Sequence, residues 1–129
     1  MIFDLSVPLL GFENIKQFKL EKIDDIFMRL EAVGEEAPTF TLVNPFALRE
    51  YSFEIPTQLQ KNMEIVDSSN ILTLNIMIVQ ENIEKSTINF AAPIVFNTDN
   101  NKMAQVILSD SKIYGIAENL SDFLDKEGN

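Results

Sequence analysis

The chain has 129 residues, with ten Lys and Arg against twenty Asp and Glu, a formal charge of −10, and neither cysteine nor histidine. That length suits one domain able to bury about two-thirds of its unfolded surface without covalent staples. The absent residue types exclude disulfides, thiolate metal sites and cysteine nucleophiles, and they remove the commonest zinc ligands and the usual serine-activating base.

The opening "MIFDLSVPLLGFEN" reads as a first strand and then a turn punctuated by Pro8 and Gly11. Asp4 stands where a signal peptide carries lysine or arginine, and no small-residue cleavage pattern follows, so the cytoplasm is the expected compartment. No apolar run reaches the length of a membrane span. "IKQFKLEKI" continues with Phe18 and Leu20 on one face. Residues 26–33 fit two periods. Ile26, Leu30 and Val33 have helical spacing, with Asp25 and Arg29 four apart, while Ile26, Met28, Leu30 and Ala32 make a strand face. After the short stretch from Gly34 to Ala37, Pro38 opens another strand, "TFTLVN".

"NPF" at 44–46 signals a turn, and Tyr51, Phe53 and Ile55 alternate in strand fashion. "PTQLQKNMEI" predicts a short surface helix with Thr57 as N-cap and Gln60 completing a capping box. "ILTLNIMIV", residues 71–79, is apolar on both faces, as a central strand covered on both sides should be. Asn75 within it must find hydrogen-bond partners or cost about 1–3 kcal/mol.

In the next strand Ile88, Phe90, Ala92, Ile94 and Phe96 alternate with Asn89, Ala91, Pro93, Val95 and Asn97. Pro93 has no N–H to give a neighbour, so this strand should have an open side or a bulge. "TDNNK" at 98–102 is a hairpin turn, and strands 86–97 and 102–108 are expected to form a long antiparallel hairpin. Ile113, Ile116, Leu120, Phe123 and Leu124 predict a short amphipathic helix near residues 117–126. Eight or so short strands with little helix indicate an all-β, small single-domain antiparallel barrel-like fold with one or two short helices.

Carboxylates are the only candidates for chemistry. Asp24 and Asp25, like Glu35 and Glu36, are adjacent, and adjacent strand residues point to opposite faces, so neither pair converges on one substrate atom. "DNN" lacks the glycine and the terminal glutamate of a calcium loop, and four singly scattered glycines make no phosphate cradle. The expectation is a protein with no catalytic residues, metal or cofactor. The acidic balance disfavours direct nucleic-acid binding, since neutralising phosphates supplies most non-specific affinity. Only Arg29 and Arg49 carry a guanidinium. A basic protein partner fits better, or plain solubility.

The irregular strand offers Asn89, Pro93, Asn97 and Gln105 as a candidate partner-binding set, whose amides could satisfy an incoming chain's backbone. In the alternative reading, Pro93 only shapes a bulge that closes the barrel. The ten phenylalanines are either plain core or the lining of a small-ligand cavity, which would make the protein a ligand-binding β-barrel.

Taken in order, "PLLGFENIKQFKL", "IFMRLEAV", "PTFTLVNPF", "YSFEIP", "ILTLNIMIV", "STINFAAPIVFNTDNNKMAQVIL" and "DSKIYGI" resemble the flagellar assembly factor FliW family, from near the N-terminus to about residue 116. The resemblance implies a barrel-like fold in which residues 26–33 are strand. It also implies a non-enzymatic regulator that binds flagellin and the RNA-binding translational repressor CsrA, coupling flagellin level to translation of flagellin mRNA. The tail from about residue 117, "AENLSDFLDKEGN", extends past the ending associated with that family.

Overall fold

Phe3 and Leu5, Phe18 and Leu20, and Met28, Leu30 and Ala32 put one apolar side on each of three consecutive segments. In the computed structural model, which describes residues 1–9, 11–34, 38–109 and 113–124, these are β1 (Ile2–Leu5), β2 (Gln17–Lys22) and β3 (Phe27–Ala32). The two-period ambiguity at residues 26–33 resolves as strand. Asp24 contributes locally: its Oδ1 accepts from the N–H groups of Ile26 and Phe27 at 2.9 and 2.8 Å, fixing the turn that sends β3 back along β2.

β4 (Thr39–Val43), β5 (Ile71–Ile78), β7 (Ile94–Asn97) and β8 (Lys102–Gln105) complete a ring in the order β4-β3-β2-β1-β8-β7-β5, which the β4–β5 ladder closes. Seven strands cannot alternate in direction all the way round. The barrel therefore departs from the antiparallel expectation at one seam, where β1 runs parallel to β8. Two short strands, β6 (Thr87–Ile88) and β9 (Glu118–Asn119), extend the sheet outside the ring, β6 beside the end of β5 and β9 beside β6.

Strand alternation sends Phe3, Phe18, Leu30, Leu42, Leu74, Ile94, Phe96 and Met103 into one continuous interior. The outward faces are not all wet. Val95, Ala104 and Val106 lie against Leu59 and Met63 around α1 (Thr57–Asn62), and Val43, Met77, Ile88 and Phe90 lie beneath Tyr51 and Leu120.

Three local expectations differ from the structure. Thr57 is the first residue of α1 and not its cap: Pro56 holds that position, its carbonyl accepts from Leu59 and Gln60, and the Gln60 amide reaches back to the Ile55 carbonyl at 2.7 Å. Tyr51, Phe53 and Ile55 alternate in burial without joining a ladder, because a loop lying over a sheet can bury every second side chain as a strand does. The tail forms β9 and a 3-10 turn, Leu120–Phe123, in place of an α-helix near 117–126. The free edge of β6 takes Glu118 and Asn119, and only part of the apolar stripe docks: Leu120 is buried and Phe123 meets the Phe90 ring at 5.2 Å, while Ile113, Ile116 and Leu124 stay exposed. Residues 125–129 lie outside the described residues.

Candidate functional site: a bulged hairpin and the groove beside it

The hairpin tip forms as the sequence predicts, with Asn101 taking the positive φ of 58° that such turns require. Beyond Ile94 the two arms behave differently. On one arm, residues 91–93 stay in register with the β8 side, Val106 and Leu108 donating to the carbonyls of Pro93 and Ala91 at 2.8 Å each. Pro93 has no N–H to return, so the regular ladder stops there. On the side of β5, only Asn75 and Ile76 stand opposite residues 89–93. The excess length is a wide bulge.

A buried polar network fills it. Asn75 Nδ2 donates to the Tyr51 hydroxyl at 3.1 Å and to the Asn89 carbonyl at 3.0 Å, and the Tyr51 hydroxyl donates to the Phe90 carbonyl. The Asn89 N–H donates to the Ile76 carbonyl at 3.0 Å, and its side-chain oxygen accepts from the Ala91 N–H. Asn75 Oδ1 has no partner among the described residues. Burial of the Tyr51 hydroxyl is the main cause that pushes its pKa up to about 12.

Of the four residues expected at a partner surface, three converge here. Pro93 is buried, Asn89 is half-buried in the bulge, and Gln105 is half-buried with its amide 3.3 Å from the Ala92 carbonyl. Asn97 lies at the other end of the hairpin, buried, donating to the Met63 carbonyl and accepting from the Asp99 N–H at 3.1 Å each.

Next to the bulge lies a cluster that no local motif announces. The Arg49 guanidinium sits 4.9, 5.0 and 5.1 Å from the ring centres of Phe90, Tyr114 and Phe123, and bonds Glu118 at 3.1 Å. Tyr114 packs on Tyr51 at 4.6 Å and its hydroxyl bridges the Ser52 N–H and carbonyl. The signal lay in scarcity: Arg49 is one of two arginines, and Tyr51 and Tyr114 are the only tyrosines. Spacing gave no hint, since the partners are dozens of residues apart.

Tyr114 also forms one wall of a groove of about 570 Å³, lined further by Phe53, Glu54, Pro56, the 106–109 segment and Ile113. The groove lies outside the barrel. The interior is packed with rings, Phe3 on Phe96 at 5.0 Å and Phe18 on Phe40 at 6.2 Å. Among the described residues no cluster of acidic side chains is arranged to hold a metal, and no helix is long and apolar enough to cross a membrane.

Comparison with known proteins settles the family. The FliW protein family model matches residues 1–120. The chain belongs to the FliW family. It is 58% identical to the flagellar assembly factor FliW of Sulfurimonas denitrificans, over 98% of this chain and all of that one. It is 46% identical to flagellar assembly factor FliW 2 of Wolinella succinogenes, over 98% of this chain and 95% of that protein. A crystal structure of the flagellar assembly factor FliW superposes with a TM-score of 0.86 at 27% identity, covering 97% of this chain and 87% of the other. The FliW match ends at residue 120, within the 3-10 turn that docks on Phe90, so the tail up to there belongs with the family fold.

Proposed function

We propose that this protein is a non-enzymatic flagellar assembly factor that acts in the cytoplasm as one folded unit, binding flagellin and antagonising CsrA. The observation that carries the reading is the near full-length likeness to proteins named flagellar assembly factor. The physical chemistry agrees with it. A surface of charge −10 suits a basic repressor, and a bound body of that charge opposes the counterion-driven part of the repressor's RNA affinity. Screening within about 8 Å at physiological salt limits that contribution, so occlusion or a changed repressor conformation carries most of the antagonism.

In this reading the bulge end of the hairpin faces partners through Asn89 and Gln105, while Pro93 and Asn97 hold the shape of the edge. The test is a calorimetric titration with purified CsrA, repeated after preloading with monomeric flagellin. Saturable heat that flagellin abolishes is the expected result. Heat from neither partner would overturn the reading.

A further inference from the structure

Past Gln105 the chain keeps strand geometry but loses a neighbour. Val106 and Leu108 both donate toward the bulge, and successive residues of an extended chain send their backbone groups to opposite sides, so the Ile107 N–H and carbonyl point away from it. β1 covers that side of β8 only as far as the bond from the Ser6 N–H to the Met103 carbonyl. Among the described residues nothing bonds the Ile107 N–H or its carbonyl.

Exposed strand edges are ordinarily blunted by lysine, proline or an inward-pointing charge. The stretch from Gln105 to Ser109, "QVILS", has none of these. It borders the groove instead, with Ile107 68% and Ile113 59% exposed and Glu54 as the one charged side chain among the described lining residues.

We propose that this edge receives an extended segment of a protein partner as an added strand, apolar at alternate positions and carrying a lysine or arginine that meets Glu54. An added strand supplies the backbone donor and acceptor that Ile107 lacks among the described residues, and the groove supplies pockets for every second side chain. Charge selects the occupant. A second copy of this chain would bring another ten negative charges, and among the described residues the groove offers no cation to an anionic ligand. The inference rests on the protein-binding reading above and adds the mode of recognition.

The test measures amide hydrogen exchange at Ile107 in the full chain, alone and with purified flagellin or CsrA, together with the affinities of the Ile107→Pro and Glu54→Lys variants. Expected are slowed exchange at Ile107 with one partner, binding of that partner weakened about tenfold by Ile107→Pro, as losing one backbone hydrogen bond predicts, and a weakening by Glu54→Lys that high salt reduces. Binding with unchanged Ile107 exchange overturns the added strand while leaving the protein-binding reading intact. No binding to either partner overturns both. Should Ile107→Pro fail to fold, wild-type exchange decides alone.

Discussion

The barrel interior and the cluster outside it around Tyr51 both bury side chains, the first fully and the second in part, and they are built on different rules. The interior is a product of alternation: each strand contributes every second residue, nearly all of them Phe, Leu, Ile or Met. The outer cluster draws Arg49, Tyr51, Asn75, Phe90, Tyr114, Glu118 and Phe123 from five separate stretches, and it mixes rings with a cation, an amide and two hydroxyls. The interior makes a barrel of the chain. The outer cluster decides what lies on that barrel, because it fixes the bulge, the 49–53 loop and the tail at one place.

The comparison predicts that damage to the two regions will have different consequences. Phe96→Ala empties a fully buried ring from the interior and should cost about 3–5 kcal/mol, measured by urea denaturation. Affinity of the remaining folded protein for its partners should stay unchanged, since Phe96 faces only the interior. A loss of affinity at full folding would mean that the interior reaches the binding surface after all.

Tyr51→Phe attacks the outer cluster without changing its volume. It leaves the Phe90 carbonyl without its donor and one Asn75 N–H without its acceptor, at a cost of about 1–3 kcal/mol. The same hydroxyl gives the protein an alkaline limit. Its folded pKa is raised, so the stability it contributes is fully present below the unfolded value of 10.0 and is lost as the pH climbs toward about 12. Stability curves between pH 9 and 12 should therefore fall more steeply for the wild type than for Tyr51→Phe. In a Tyr114→Phe background, the one remaining tyrosine should ionise together with unfolding. Equal alkaline slopes would show that the hydroxyl is solvated.

The two regions were also unequally legible. Phe18 with Leu20, and Ile94 with Phe96, were visible as sharing a face because a period of two needs only neighbours, whereas the 71–79 strand, apolar on both sides, hid that Leu74 is the inward one; "TDNNK" announced its turn through residues that tolerate positive φ. An irregularity at Pro93, an open side or a bulge, was visible too through the missing N–H, and the structure makes it a bulge. Its filling was not, because nothing local tells Asn75 that its partners are Tyr51 and Asn89. Periodicity misled at two places for one reason. The 51–55 loop and the tail both bury alternate or helically spaced side chains against the sheet without being strand or α-helix, since burial pattern records contact and not backbone pairing. For Asn97, sequence could show an amide beside an irregular strand but not that Met63, brought in by α1, would claim it.

The tail's attachment gives the smallest effect and the sharpest form of the comparison. Arg49 joins two kinds of contact, ring faces and a carboxylate, and both Arg49 and Glu118 are largely withdrawn from solvent, at 23% and 27% side-chain exposure. A double-mutant cycle of Arg49→Met and Glu118→Gln should give a coupling of about 1 kcal/mol, above the usual exposed pair because the cation is also held by rings. Arg49→Lys should recover little of it, since a compact ammonium cannot lie flat against Phe90, Tyr114 and Phe123 while still reaching Glu118. The informative readout is local. Amide exchange at Glu118 and Leu120, whose N–H donates to the Ser86 carbonyl, should quicken in Arg49→Met while that of Phe18 and Leu30 does not. If all four quicken together, the outer cluster is no separate unit and the barrel cannot hold its shape without it.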